Sequence, residues 1–208
     1  MKFVAYCLFV VVCLPLWAPD ARADGGDGHG ESHFVAPEDG ALVVFVRHRF
    51  LHKVTRSFIL DEQKRCIAAT RGKTHTKVVM EPGRHSVFAF LRKSGRWVDL
   101  ELQAGRTYVV RTRPNGLYRT QLEIYPAVRG EATFAESKEW LTSTKRYQPD
   151  LAEMTRKLQK KRWRRRYAAA LAQGNEMRDT VTDYADRFTV RPEDGRTREE
   201  ATELGGGN

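Results

Sequence analysis

From Ala41 onward, short runs rich in β-branched and aromatic residues alternate with turn residues, with a period of roughly ten residues. Each run has about the length of one strand, and this spacing is typical of an all-β sandwich or barrel. The runs cover residues 41–47, 56–61, 65–70, 74–80, 85–91, 96–102, 107–113 and 117–125. The sequence therefore predicts a mainly β fold, an antiparallel β-sandwich of seven to eight strands over residues 41–127, followed by a C-terminal α-helical extension.

One pair of runs carries a predicted register. In 96–102 and in 107–113, apolar residues alternate with polar ones, which indicates strands with one buried face. A three-residue loop ending at Gly105 sets Leu100 opposite Tyr108 and keeps both apolar sets on one face, whereas a four-residue loop would separate them. We therefore expect the two runs to form an antiparallel hairpin, with Gly105 in a left-handed conformation.

The first 23 residues have the composition of a secretory signal peptide. Lys2 precedes an apolar run over residues 3–17, and the small residues at 21 and 23 favour cleavage between Ala23 and Asp24. The apolar run is about 15 residues long, shorter than the ~20 residues that a membrane-spanning helix needs. We expect a periplasmic or secreted mature chain without a transmembrane segment.

The cysteines fit this interpretation. Cys7 and Cys13 lie in the predicted signal peptide, so the mature chain would keep only Cys66. A single cysteine forms no internal disulfide, and stability must come from a hydrophobic core. Because the neighbours of Cys66 are apolar, we predict a packed thiol rather than a reactive one.

Charge divides the rest of the chain into segments. The full sequence has 36 Lys and Arg against 26 Asp and Glu, a net charge of +10. Residues 24–40 are acidic and rich in glycine, which predicts a flexible leader. Residues 131–173 read as a helical extension and residues 174–208 as an acidic helix followed by a disordered tail. His29 and His33 have the spacing of helical metal ligands, but the glycines around them disfavour a helix, so no metal or cofactor is expected.

The helical extension contains a very basic segment. Trp140 and Leu141 predict a short helix, over 136–144, that docks on the sheet. Asp150 is placed to cap a helix over 151–173, since a Pro precedes it and an amphipathic pattern follows. Eight of the eleven residues at 156–166 are basic. The candidate site for an anionic partner comprises Arg156, Lys157, Lys160, Lys161, Arg162, Trp163, Arg164, Arg165, Arg166 and Tyr167.

Three interpretations of this basic helix stay open. It could be a solvated surface whose aromatic residues lean on the domain or on the acidic residues after Gly174. It could contact an anionic envelope polymer, a lipid headgroup or an envelope protein. Nucleic acid is the least favoured partner, because an exported protein meets little of it and the sequence carries no recognised nucleic-acid motif.

Three segments resemble a known family. These are Ala-Leu-Val-Val-Phe-Val-Arg at 41–47, Glu-Pro-Gly-Arg-His-Ser-Val-Phe at 81–88 and Leu-Gln-Ala-Gly-Arg-Thr-Tyr-Val-Val-Arg at 102–111. The succession resembles the bacterial secreted domains grouped as domain of unknown function 2846 and the small sandwiches named for a Pro-Glu-Gly-Ala motif. The resemblance implies an envelope-located β-sandwich and no particular reaction.

No set of nucleophile, base and metal-ligand residues converges in the sequence pattern. We therefore expect an exported non-catalytic protein, a binding or structural module of the cell envelope, that contacts an anionic partner through a basic surface. One alternative is a secreted hydrolase or hydrolase inhibitor. Another is an accessory subunit that docks by its C-terminal helix, which would require Trp163 and Tyr167 to be exposed.

Overall fold

The computed structural model describes residues 34–48, 55–115 and 121–205, in which ten strands form two sheets. Eight strands are long: β1 Ala41–Arg47, β2 Arg56–Leu60, β3 Cys66–Arg71, β4 Thr74–Met80, β5 Gly83–Leu91, β6 Ser94–Leu102, β7 Thr107–Asn115 and β8 Gln121–Pro126. Two short strands lie in the extension, β9 Lys145–Arg146 and β10 Thr189–Val190. The helices are α1 Ala132–Thr142, α2 Leu151–Leu158, α3 Lys161–Thr180, α4 Tyr184–Phe188 and α5 Arg198–Gly205.

The two sheets are mixed rather than antiparallel. The first has the strand order β8-β7-β1-β4-β9 and the second β10-β6-β5-β2-β3. β1 pairs parallel with β7, β4 with β9 and β10 with β6, while the remaining pairs are antiparallel. The prediction of a mainly β fold with helices after it is confirmed. The predicted antiparallel arrangement is wrong because β1 pairs parallel with β7, and the count of seven to eight strands is wrong because the extension adds β9 and β10 to the sheet edges.

The main core lies between the sheets, and a further apolar cluster covers each outer face. Val43 and Phe45 of β1 belong to the inner core, whereas Leu42, Val44 and Val46 belong to the outer cluster beneath α1. Every residue of β1 is buried for this reason, which explains the unbroken apolar run in its sequence. The molecule therefore has four layers, with helices outside both sheets.

The predicted hairpin of β6 and β7 does not form. β6 belongs to the second sheet and pairs with β5, while β7 belongs to the first and pairs with β1. The inward residues were predicted well, since Leu100 and Tyr108 are both in the inner core. They face each other from opposite sheets, because alternation fixes which face is buried but not which strand is the neighbour. Gly105 is left-handed as expected, with a φ of 70°, and its N–H donates to the carbonyl of Gly40 at 2.8 Å.

The predicted helix over 151–173 is two helices. Asp150 caps α2 as expected, accepting a 2.8 Å hydrogen bond from the N–H of Glu153. The chain then leaves helical geometry at Lys160, with a φ of −67° and a ψ of 140°, before α3 begins. On one straight helix the apolar residues of 151–158 and those of 163–171 would lie on different faces. The break at Lys160 allows both sets to pack against the second sheet.

The two terminal segments are more ordered than the sequence predicts. The apolar pattern at 176–188 predicts one helix, but α3 continues to Thr180 and α4 follows separately. The predicted disordered tail contains α5, whose Leu204 is buried on the first sheet. Phe34 of the predicted flexible leader is buried in the same cluster. Residues 1–33, with the cleavage position between Ala23 and Asp24, lie outside the described residues.

The first predicted helix of the extension, α1, docks where expected. Trp140 and Leu141 are buried against the outer face of the first sheet. Cys66 is also buried, as predicted, and its thiol donates to the carbonyl of Ala68 at 3.4 Å. Burial raises the pKa of the Cys66 thiol to about 12, so the reactive thiolate is absent at neutral pH.

Candidate anion-binding groove

An open groove of about 1200 Å³ lies where the β3–β4 corner, the β5–β6 turn and the helices α2 and α3 meet. Fourteen residues line it, of which eight are cationic and none is acidic. The cationic residues are Arg56, Arg71, Lys73, Arg92, Lys145, Lys157, Arg162 and Arg166. The remaining ones are Thr55, Phe58, Gly72, Thr74, Ser143 and Trp163. We call this the cationic groove.

One wall of the cationic groove is the corner between β3 and β4. Gly72 has a φ of 50°, and the hydroxyl of Thr74 donates to the carbonyl of Arg71 at 2.8 Å. These features hold a tight turn with a base on each side of the glycine. The Arg71 guanidinium lies 4.7 Å from the ring centroid of Tyr147, a cation–π contact that orients it. Lys145 is brought alongside because its N–H donates to the carbonyl of Lys73 at 3.2 Å.

The opposite wall is α3, which approaches the second sheet closely. A Cβ atom at Gly95 would lie 2.9 Å from the carbonyl oxygen of Ala170, and one at Gly174 would lie 3.4 Å from the carbonyl oxygen of Gly95. Two glycines therefore let the helix backbone lie almost on the strand. Arg166 is one helical turn before Ala170, and Arg92 is three residues before Gly95. The close approach thus places these two arginines at the same end of the cationic groove.

Arg92 has an unusual backbone conformation. Its φ is 57°, in the left-handed region, and it occupies the two-residue turn that joins β5 to β6. Hairpin turns of this length need positive φ values that glycine adopts readily, whereas other L-residues lose about 1–2 kcal/mol there. Strain of this kind is concentrated at functional sites. The turn therefore presents an arginine to the cationic groove at a cost in stability.

The positive charges in this part of the cationic groove are uncompensated. Among the described residues, no carboxylate forms an ion pair with Arg92, Arg162 or Arg166. Burial, and then the neighbouring charges of Arg162 and Arg92, lower the pKa of the Arg166 guanidinium below its usual value. Arg166 lies 5.0 Å from the ring centroid of Trp163. Lys157 has a counterion, Glu153, at 3.7 Å. The field in the groove is therefore strongly positive.

The structure divides the ten residues of the predicted site. Lys157, Arg162, Trp163 and Arg166 line the cationic groove. Five others are exposed outside it: Arg156, Lys160, Lys161, Arg164 and Arg165. Tyr167 packs inward, with its ring centroid 5.8 Å from that of Phe88 and 5.6 Å from that of Phe90. The predicted basic helix thus supplies three of the eight cations of the groove, and the strands and turns supply the other five.

Sequence reasoning missed Arg56, Arg71, Lys73, Arg92 and Lys145. A signal for three of these positions, Arg71, Lys73 and Arg92, was present, because the turns at 71–73 and 92–93 each carry two bases. A paired base in a turn is common on any surface, and only the fold shows that both turns face α3. The basic helix was recognisable because its charges are contiguous.

The acidic tail does not neutralise the basic helix by any described ion pair. Asp186 pairs with Arg191 at 2.9 Å, and Glu200 pairs with Arg129 at 2.8 Å. Asp183 pairs with Arg187 within α4. These three acids are therefore engaged with bases outside residues 156–166.

Within residues 34–48, 55–115 and 121–205, no group of three or more His, Cys, Asp or Glu side chains is arranged to hold a metal ion. None of the helices in these ranges combines the length and the apolar character needed to cross a bilayer. His75 shares a 3.0 Å hydrogen bond between its Nδ1 and the hydroxyl of Thr144.

The chain was compared with protein-family models, with curated proteins and with solved structures, and none of the three comparisons finds a match. The resemblance to domain of unknown function 2846 is therefore an expectation from the three sequence segments alone.

Proposed function

We propose that this chain is an exported, non-catalytic module of the cell envelope that binds an anionic partner in the cationic groove. The observation that carries the proposal is the composition of the groove, with eight cations and no acid among its fourteen lining residues. A merely solvated protein surface mixes both signs of charge. Positive charges from five separate chain segments meeting in one concave surface favour a binding site over a merely charged helix.

The energetics favour a multivalent ligand. Like charges repel one another, so a groove lined by eight bases and no acid favours an anionic partner. Each Lys or Arg close to an anionic surface contributes about 1 kcal/mol of binding free energy at moderate salt. The exposed bases of α3 outside the cationic groove add long-range attraction, which raises the rate of encounter more than the affinity. An anionic polymer or headgroup surface would engage several of these cations together.

No specific observation favours the two alternatives. An accessory subunit that docks through α3 would need exposed aromatic side chains, but Trp163 and Tyr167 are both half-buried against the second sheet. The described residues also lack a group of three or more His, Cys, Asp or Glu side chains that could hold a hydrolytic metal ion. The binding module therefore stays the one function that a particular feature of the molecule supports.

The test compares two triple variants of equal charge. The groove variant carries Arg71→Gln, Lys145→Gln and Arg162→Gln. The control variant removes three exposed bases outside the groove, Arg156→Gln, Lys161→Gln and Arg165→Gln. Affinity for fluorescent dextran sulfate is measured from 50 to 300 mM salt. The groove variant should lose affinity by on the order of 100-fold, because about 3 kcal/mol is removed, while the control variant loses less than about tenfold.

Equal losses in the two variants would show that net charge alone attracts the polyanion and would contradict a binding groove. All six substituted side chains are exposed, so both variants should keep the thermal stability of the original chain, within about 0.5 kcal/mol per substitution. Circular dichroism melting checks this before binding is compared.

A further inference from the structure

We propose that the arginine end of the cationic groove, formed by Arg92, Arg162 and Arg166, is a binding site for a phosphate monoester. This inference rests on the proposed function and specifies the ligand chemistry of the same groove. It concerns a phosphoryl group with three free oxygens, whether carried by a lipid headgroup or by a soluble molecule.

The placement of the three arginines carries the proposal. Arg162 and Arg166 are four residues apart on α3 and therefore project from the same face of the helix. Arg92 reaches the same groove from the β5–β6 turn, held there by the close approach of α3 to Gly95. Two elements that are distant in sequence thus direct three guanidinium groups at one volume.

Two independent features show that this arrangement has a cost in stability, and the first of them, charge repulsion, is one that an anionic ligand would relieve. Cations four residues apart on a helix destabilise it, and no carboxylate of the described chain pairs with either Arg162 or Arg166. Arg92 occupies a left-handed backbone position that glycine would adopt without strain. The lowered pKa of Arg166, which arises from burial and from the charges of Arg162 and Arg92, agrees with mutual repulsion at this point. A bound dianion would relieve this repulsion.

The number of charges and acceptors selects the ligand class. A phosphate monoester carries a charge of about −1.5 to −2 at neutral pH and has three free oxygens. A carboxylate has one negative charge and two oxygens, and a phosphodiester has one charge and two free oxygens. Three guanidinium groups, each a rigid fork of donors, match three oxygens on one phosphorus atom. The monoester therefore satisfies more of the available donors and charge than the other anions do.

The rest of the groove accommodates the remainder of the ligand. Its volume of about 1200 Å³ is far larger than one phosphoryl group requires. With the phosphoryl group at the arginine end, the molecule that carries it would extend toward Arg71 and Lys145 on the opposite wall.

The experiment measures binding of the full chain to two kinds of vesicle with matched surface charge. One contains phosphatidic acid, which exposes a phosphate monoester, and the other phosphatidylglycerol, a diester. The molar fractions are adjusted until both have the same zeta potential. The vesicles with phosphatidic acid should bind at least tenfold more tightly. Inorganic phosphate and glucose 1-phosphate, titrated by calorimetry, distinguish the source: binding of the free monoester at comparable affinity indicates a soluble ligand, and binding to vesicles alone indicates a headgroup.

A charge-conserving variant sharpens the test. Arg92→Lys, Arg162→Lys and Arg166→Lys together keep every positive charge but replace the planar forks with point charges. The tenfold preference for the monoester should fall to about twofold or less, while the affinity for dextran sulfate stays within about threefold of the original. The matched control, Arg156→Lys, Arg164→Lys and Arg165→Lys, should keep the preference.

The outcomes separate the two proposals. Equal binding to both kinds of vesicle, or a preference that survives in the charge-conserving variant, would overturn the phosphate monoester site and leave the anion-binding groove in place. Failure to bind the vesicles and dextran sulfate alike would overturn both.

Discussion

Both outer faces of the sandwich are covered by helices, but the two buried contacts differ in composition. Each sheet presents an apolar outer face that helices must cover. On the first sheet the cover is α1, α5 and the segment around Phe34, and the buried contacts are mostly aliphatic. On the second sheet the cover is α2 and α3, and the contacts are aromatic, with Phe58, Phe88 and Trp163 in one cluster. The two faces differ more in the charge of the surfaces that their covering elements expose to solvent.

Bases near the first face have acidic partners. Arg129 pairs with Glu200 at 2.8 Å, Arg198 with Glu38 at 3.5 Å and Arg111 with Glu136 at 3.7 Å. On the second face, Arg178 of α3 pairs with Asp99 at 2.7 Å, but Arg92, Arg162 and Arg166 of the cationic groove form no ion pair with a carboxylate of the described residues. The positive charge is therefore distributed unevenly: these bases outside the groove are neutralised by acids, whereas the three arginines at one end of the groove are not.

The largest expected effect comes from removing the aromatic support of α3. Phe88 is buried between the sheet and the helix, with Tyr167 at 5.8 Å and Trp97 at 5.0 Å. Phe88→Ala should reduce the free energy of unfolding by about 3–5 kcal/mol. It should also weaken polyanion binding, because α3 forms a wall of the groove.

Leu204→Ala provides the matched comparison on the first face. Leu204 is buried, and its truncation should cost about 2–5 kcal/mol of stability. Polyanion affinity should stay unchanged well below the melting temperature, since α5 does not line the groove. Urea unfolding and dextran sulfate titration of both variants make the measurement. Equal loss of polyanion binding in the two variants would mean that packing on the first face also affects the groove on the second face.

The next effect is a loss of stability in acid that originates on the first face. Two hydrogen bonds from the Arg129 guanidinium, at 2.9 and 2.8 Å, hold the pKa of Glu200 at about 2, well below its usual value. A depressed pKa stabilises the fold above the unfolded value of about 4.3, and this contribution disappears as the pH falls toward 2. Because the Glu200 side chain is 34% exposed, solvent screening limits the contribution to about 1 kcal/mol.

Glu200→Gln should therefore be less stable than the original chain at pH 6 by about this amount, and the gap should close by pH 2. Urea unfolding at a series of pH values measures it. Arg162→Gln, on the second face, is the control and should lose stability in acid just as the original chain does. A gap for Glu200→Gln that stays constant with pH would show that the ion pair contributes nothing.

The smallest expected effect is a gain in the free energy of unfolding. Arg92→Gly should relieve the left-handed strain in the β5–β6 turn and stabilise the fold by about 0.5–1 kcal/mol. At the same time it should weaken polyanion binding by about threefold to tenfold, since one groove cation is lost. Lys64 has a φ of 63° and lies outside the groove, so Lys64→Gly should stabilise similarly and leave the affinity unchanged. Lower stability for both variants would contradict backbone strain at these positions.

Much of the fold was predictable because it depends on local pattern. The run at 41–47 and the run at 74–80 match β1 and β4 in both bounds. The alternation in β6 identified which of its side chains face the core, and Asp150 identified the start of α2. Each of these properties is set within a few residues, by strand periodicity or by the capping of free backbone N–H groups.

The candidate site was predictable only where its charges are contiguous. Arg162 and Arg166 lie in an obvious basic segment, whereas Arg71 and Arg92 belong to turns with only two bases each. Nothing local to Arg92 shows that the turn after β5 would face α3. The close contact of Gly95 with Ala170 decides this, and it joins residues that are far apart along the chain.

The sequence by itself determined where the strands lie, which side of each is buried and where the basic charge is densest. These are consequences of side-chain periodicity and composition. Only the tertiary structure decided that β6 and β7 belong to different sheets, that the helix breaks at Lys160, and that bases from five segments share one groove. Those outcomes depend on burying two outer faces together with the inner core. Burial is a property of the whole chain, because the apolar partner of each residue comes from an element that local pattern does not identify.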